Sequence, residues 1–308
     1  MSTLLQPTAA RPWRLPRGLV LCGAALLVFT CALVSSARVR AQPAFEIEAD
    51  LPHGAFRVRG APNVIVQAAP GFDARAPLQL VVFLHGYSGC VRMLMGRGEL
   101  PCKAGDVARP GWDLGRYHAA AHSNTLFIVP QLAYLKRDGD PGAFSRRGGF
   151  RAFLEELLAG PLAAKLGGPR TLADVARIDL VAHSGGYHAA LAVLERGGIE
   201  PKQLRSVVLF DALYGETPGF ARYIERHVKD GLQFIVISLP NGTTDRESRV
   251  LWQRLERSLG PALVTTAEPV DLVQAIGTHP IVIAHGTPPH RLVPATHLAE
   301  VLAALHAR

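Results

Sequence analysis

Six short apolar runs constrain this chain more than any other feature: Leu78–Leu84, Leu126–Val129, Ile178–Ala182, Val207–Phe210, Phe234–Ser238 and Ile281–Ala284. Each is rich in β-branched residues and almost free of polar ones. A strand with one wet face alternates apolar and polar residues. These runs do not, so they read as strands buried on both faces, as in a parallel sheet. Helical patterns fall between them: Phe150–Leu166, interrupted at Pro161, then Gly186–Glu195, Gly219–Val228, Ser248–Leu259 and Thr296–Ala307. Strands that alternate with helices imply crossover connections and one mostly parallel central sheet with helices on both faces. Ahead of these lie Phe45–Glu48, Phe56–Arg59 and Val64–Gln67, separated by Pro and Gly, which read as an antiparallel N-terminal edge.

Composition agrees with such a fold. At 308 residues, 48% hydrophobic and 19% charged, the chain can bury a large core, which excludes a disordered chain and a disulfide-dependent mini-fold. No internal repeat is visible. Of the net charge of +8, five units come from Arg11, Arg14, Arg17, Arg38 and Arg40 in the acid-free first 41 residues. The remainder is only mildly basic, and its basic runs (Lys136-Arg137, Arg146-Arg147) are not interleaved with aromatics. No nucleic-acid partner is expected.

Three arginines precede the uncharged run Gly18–Val34, and small residues follow it, the layout of a secretory signal. Cleavage is expected after Ala37 or Ala41; an uncleaved membrane anchor is the alternative for a run of this length. Residues 1–41 are therefore assigned to a signal peptide or anchor and residues 42–308 to one α/β domain, exported to the periplasm or beyond. Contact with a membrane is expected only through the N-terminal segment. Cys22 and Cys31 follow Leu21 and Thr30, not the small residue that a lipid-attachment signal needs. Cys90 and Cys102 are the only cysteines beyond the leader, and in an oxidising compartment they are expected to form a disulfide.

Catalytic groups in open α/β sheets gather at the carboxyl ends of the strands. There, Ile178–Ala182 runs into Ala182-His183-Ser184-Gly185-Gly186 and then an Ala-rich helix. A serine on a tight strand-to-helix turn sits in strained backbone and needs small residues two before and two after it; Ala182 and Gly186 meet that need. The helix start turns unpaired N–H groups toward any oxyanion formed there. The first buried strand ends in His85-Gly86-Tyr87-Ser88-Gly89, where Gly86 permits a close turn. Tyr87 N–H and Gly185 N–H are thus the expected oxyanion donors.

With these motifs the sequence resembles the α/β-hydrolase superfamily, especially its exported esterase, lipase and cutinase-like members, from about Leu78 onward. Ala182 stands where many members have Gly. The resemblance implies the chain order serine, acid, histidine. Asp211, directly after Val207–Phe210, is the preferred acid. Asp245 is the alternative, although most members place the acid after the later strand; it also resembles a helix-start carboxylate. Asp271 is more distant. The histidine is expected between the last strand and last helix, where His290 is preferred and His285 is the alternative. His279 and His297 are expected to be structural, and neither His183 nor His188 is placed to act as base.

The resemblance implies acyl transfer: Ser184 attacks, histidine removes its proton, and Asp211 orients the imidazole. No metal or organic cofactor is required, and the expected partner is a small-molecule or polymeric ester. The segment Cys90–His122, with Met93, Leu94, Met95, Trp112 and Tyr117, is expected to wall a cleft; Gln131–Gly149, with Arg137, Arg146 and Arg147, is expected to border it. An amidase or peptidase with the same residues, or a non-catalytic binding protein on this scaffold, remains the alternative reading.

Overall fold

The computed structural model describes residues 44–134 and 139–307. The leader assigned to residues 1–41, and Lys136 and Arg137, lie outside them. Among the described residues, nine strands form one sheet: β1 (Phe45–Ala49), β2 (Val64–Ala68), β3 (Leu78–Leu84), β4 (Leu126–Pro130), β5 (Val175–His183), β6 (Leu204–Phe210), β7 (Gln233–Ser238), β8 (Val264–Ala267) and β9 (Ile281–His285). Their spatial order is β1-β2-β4-β3-β5-β6-β7-β9-β8. Only β2 runs against the rest, paired antiparallel with both β1 and β4. The mostly parallel sheet with an antiparallel N-terminal edge is thus the one expected.

Each apolar strand feeds two cores by simple alternation. Leu80, Val82 and Leu84 of β3 join one cluster with Phe150, Leu191, Phe220 and Leu251. Val81 and Phe83 join the opposite cluster with Leu94, Leu114, Leu272 and Leu298. The helices divide accordingly. α3 (Gly149–Ala159), α4 (Tyr187–Arg196), α5 (Thr217–His227) and α6 (Thr243–Leu259) cover the first face. The short α1 (Val91–Met95) and α2 (Leu114–Ala119), with α7 (Leu272–Thr278) and α8 (Val293–His306), cover the second. Every fully buried Phe or Leu in these layers is worth roughly 1.5–3 kcal/mol.

One local expectation is corrected. Phe56–Arg59 is not a strand: the places on either side of β2, the strand it leads into, are taken by β1 and β4. Its Arg57 instead bonds Asp50. The helical pattern over Phe150–Leu166 forms a helix as far as Ala159 and breaks, as expected, at Pro161. The stretch Gln131–Gly149 contains a 3-10 turn at Gly142–Ser145.

Candidate active site

The site is assembled where β3, β5, β6 and β9 end. Ser184 follows β5 directly, at φ +54°, a left-handed conformation that a non-glycine residue adopts only where its surroundings impose it. The surroundings do so on both sides. A Cβ on Gly186 would lie 2.2 Å from the Leu84 carbonyl oxygen, and one on Gly139 would lie 1.9 Å from the Gly185 carbonyl oxygen. The turn is therefore clamped between the end of β3 and the strap that includes Gly139.

Gly86 makes the closest approach to the serine. A Cβ there would stand 2.5 Å from Ser184 Cβ and 2.9 Å from both Ser184 Oγ and Gly185 N. Any side chain at 86 would screen the hydroxyl and the amide together; the bare glycine leaves both reachable. The preceding His85 is buried, and its Nε2 accepts from Leu132 N–H at 2.9 Å. Nδ1 therefore carries the proton and donates to the Gly86 carbonyl, also at 2.9 Å. With that carbonyl held on the His85 side of a trans peptide, Tyr87 N–H is turned to the opposite side. Burial pushes the His85 imidazolium pKa down to about 4, which keeps the ring neutral in this role.

Asp211 follows β6 at φ +43° and is buried. One carboxylate oxygen accepts from His290 Nδ1–H at 2.5 Å. The other accepts from Thr244 Oγ1 and from Leu239 N–H. Burial alone would raise the Asp211 pKa, but the bonds from His290, Thr244 and Leu239 outweigh it and hold the carboxyl below its ordinary value. Because Nδ1 of His290 donates to the carboxylate, Nε2 of the neutral ring carries the lone pair.

His183 holds the His290 residue through its backbone and packs beside its ring. Its Nε2–H donates to the His290 carbonyl at 3.0 Å, and the two rings lie 4.5 Å apart. Burial lowers the His183 pKa to about 3, with the nearby His290 adding to the effect, so His183 is a neutral spacer. Trp112 packs edge-on against it at 5.2 Å.

His290, Ser184, His183, Gly86 and Tyr87 line one cavity of about 300 Å³. No hydrogen bond joins Ser184 Oγ to the His290 ring among the described contacts; such bonds commonly tighten only when substrate is present. His290 opens a short 3-10 turn, His290–Leu292, at the entry to α8. The other pair of candidates lies elsewhere. His285 Nε2 bonds Asp245 Oδ1 at 2.9 Å, and Asp245 is also gripped by Arg249 and by Asn241 N–H in the first turn of α6. Arg249, and then His285 and the Asn241 amide, hold the Asp245 carboxyl far below its usual value against the cost of its burial. His285 borders a different cavity, with Trp252 and Thr265. The structure thus forms two His–Asp pairs and brings only His290–Asp211 to Ser184.

Cys90 and Cys102 form the expected disulfide, both sulfurs buried. From Cys90–His122, Met93, Leu94 and Trp112 reach the cavity wall; Met95 and Tyr117 do not. Arg146 and Arg147 do not line it either. Sequence reading missed Thr244, His85 and the bracing part of His183. Their partners are remote in the chain, and no spacing rule points to them.

A serine on a strained turn at the end of a central strand, in a mostly parallel sheet layered by helices on both faces, decides the architecture. The fold is that of the α/β-hydrolases. No family model and no curated protein matches the sequence. Solved structures similar to this hydrolase fold include a feruloyl esterase module from Clostridium thermocellum, 12% identical over 86% of this chain and 93% of that one, at a TM-score of 0.48. A ferulic acid esterase from Anaeromyces mucronatus is 12% identical over 87% and 96%, at 0.42. An esterase from Pyrococcus furiosus is 13% identical over 85% and 90%, at 0.41.

Proposed function

We propose that this α/β-hydrolase is an exported serine esterase that cleaves carboxylic esters through an acyl-enzyme on Ser184. The observation that carries the reading is the Asp211-bound His290 ring on the wall of the cavity that Ser184 enters. His290 Nε2 accepts the Ser184 proton as Oγ attacks the substrate carbonyl. The oxyanion accepts hydrogen bonds from Gly185 N–H and Tyr87 N–H, each donor typically worth about 3 kcal/mol. Collapse expels the alcohol, which takes its proton from His290. Water, deprotonated by the same ring, then attacks the acyl-enzyme, releasing the acid and restoring Ser184. The buried disulfide supports folding in an oxidising compartment, as export through residues 1–41 requires; among the described residues no helix is long and apolar enough to cross a membrane.

A fluorophosphonate probe is expected to label Ser184 and to lose its target in Ser184→Ala. With nitrophenyl esters, His290→Ala is expected to lose at least a thousandfold in kcat and His285→Ala less than tenfold. Turnover retained by His290→Ala would remove His290 from the mechanism. Faster cleavage of matched anilides than of esters would replace the esterase by an amidase.

A further inference from the structure

The cavity beside Ser184 has an apolar wall of Met93, Leu94, Pro110 and Trp112, yet two arginines, Arg109 and Arg291, also line it, and no acidic residue does. Asp211 stands behind the His290 ring with both oxygens engaged. Two other arginines of the same excursion are ion-paired, Arg92 with Glu48 and Arg97 with Asp113; Arg116 lies over the Tyr117 ring and does not line the cavity. Among the described residues Arg109 has no acidic partner; its Nη1 donates to the Ser88 carbonyl at 3.2 Å, which fixes the side chain, half-buried, against the turn that carries Tyr87. Arg291 follows His290 directly, is exposed, and has neither an ion pair nor a hydrogen bond among those described.

Two unpaired like charges at one small cavity repel each other and attract an anion. A guanidinium does so with a fork of donors that matches a carboxylate. A volume of about 300 Å³ lies at the small end of ligand sites. We infer that the preferred substrate of Ser184 is a small ester whose apolar body bears a carboxylate, held by Arg109 and Arg291 while the ester carbonyl meets Ser184. The inference rests on the esterase reading. Its chemistry is the same hydrolysis: Ser184 takes the acyl group, the alcohol leaves with a proton, and water supplies the oxygen of the released acid.

The full chain is assayed on two matched pairs, each corrected for uncatalysed hydrolysis. The acyl arm compares the mono-para-nitrophenyl ester of glutaric acid with para-nitrophenyl pentanoate. The alcohol arm compares meta-carboxyphenyl butyrate with phenyl butyrate. In one arm the charged ester is expected to exceed its neutral twin in kcat/KM by about tenfold or more, mainly through KM. The advantage is expected to shrink in Arg109→Gln and Arg291→Gln, to survive in part in Arg291→Lys, and to fall with added salt. Because Arg109 also props the Ser88 carbonyl, the exposed Arg291 is the cleaner variant. Neutral esters preferred in both arms, or a preference untouched by Arg291→Gln and Arg109→Gln, would overturn the inference while leaving the esterase standing. Failure to hydrolyse any of the four esters would sink both.

Discussion

Gly86 shows how much of the site depends on one missing methyl group. Alanine there would place Cβ 2.5 Å from Ser184 Cβ and 2.9 Å from the Gly185 amide, so either the turn or the elbow must shift. Gly86→Ala is expected to lower kcat/KM for ester substrates at least a hundredfold, the scale of a lost oxyanion donor, with the far-UV circular dichroism of the parent. Parental kinetics in this variant would show that the turn does not approach the serine as described. Ser184, Asp211 and His290 could be proposed from the sequence because the elbow has a local signature and chain order narrows the acid and the histidine to a few candidates after it. The separation of the two His–Asp pairs could not. Asp245 and His285 satisfied the same positional rules, and only the three-dimensional placement of Arg249 beside Asp245 reveals a self-contained cluster. Thr244 and His183 were out of reach for the same reason.

At the scale of elements, the buried strands were legible because double-sided burial erases polar residues from a run. The polar edge strand β8, Val264–Ala267, has half-exposed threonines and carries no such signal. The helices α1, α2 and α7 span only five to seven residues, too few turns for a period of 3.6 to register. Phe56–Arg59 alternates like a strand, but both places beside the following β2 are taken by β1 and β4. The excursion from Cys90 has its own device: the disulfide ties the first residue after the oxyanion turn, directly ahead of α1, to Cys102. Replacing both cysteines by alanine is expected to lower unfolding free energy by about 3 kcal/mol, as judged by urea denaturation, given the short loop closed. It should also cut kcat/KM, since Met93 and Leu94 lose their tether. Unchanged urea midpoint in the double variant would show that packing alone holds the excursion.

For the whole molecule the decisive charge lies in the interior. Asp179 of β5 is fully buried; it accepts from Arg177 Nε at 2.8 Å and Ser206 Oγ at 2.6 Å, and His306 Nε2 stands 3.0 Å away. Burial opposes its charge, but His306 and Arg177 outweigh that cost and the carboxyl pKa is lowered. A depressed carboxyl contributes its stability in full above the unfolded value of about 4 and loses it as pH falls through the folded one. Urea midpoints are thus expected to drop as pH falls below about 4. Asp179→Asn is expected to flatten part of that slope and to cost about 3 kcal/mol at neutral pH; an equally steep slope in the variant would assign acid lability to other carboxyls, Asp211 first. His306 belongs to α8, the helix that His290 precedes. A nascent polypeptide still short of residue 290 therefore lacks both the proposed base and the histidine that meets Asp179, so the proposed activity cannot appear before the segment that leads into α8 has been made.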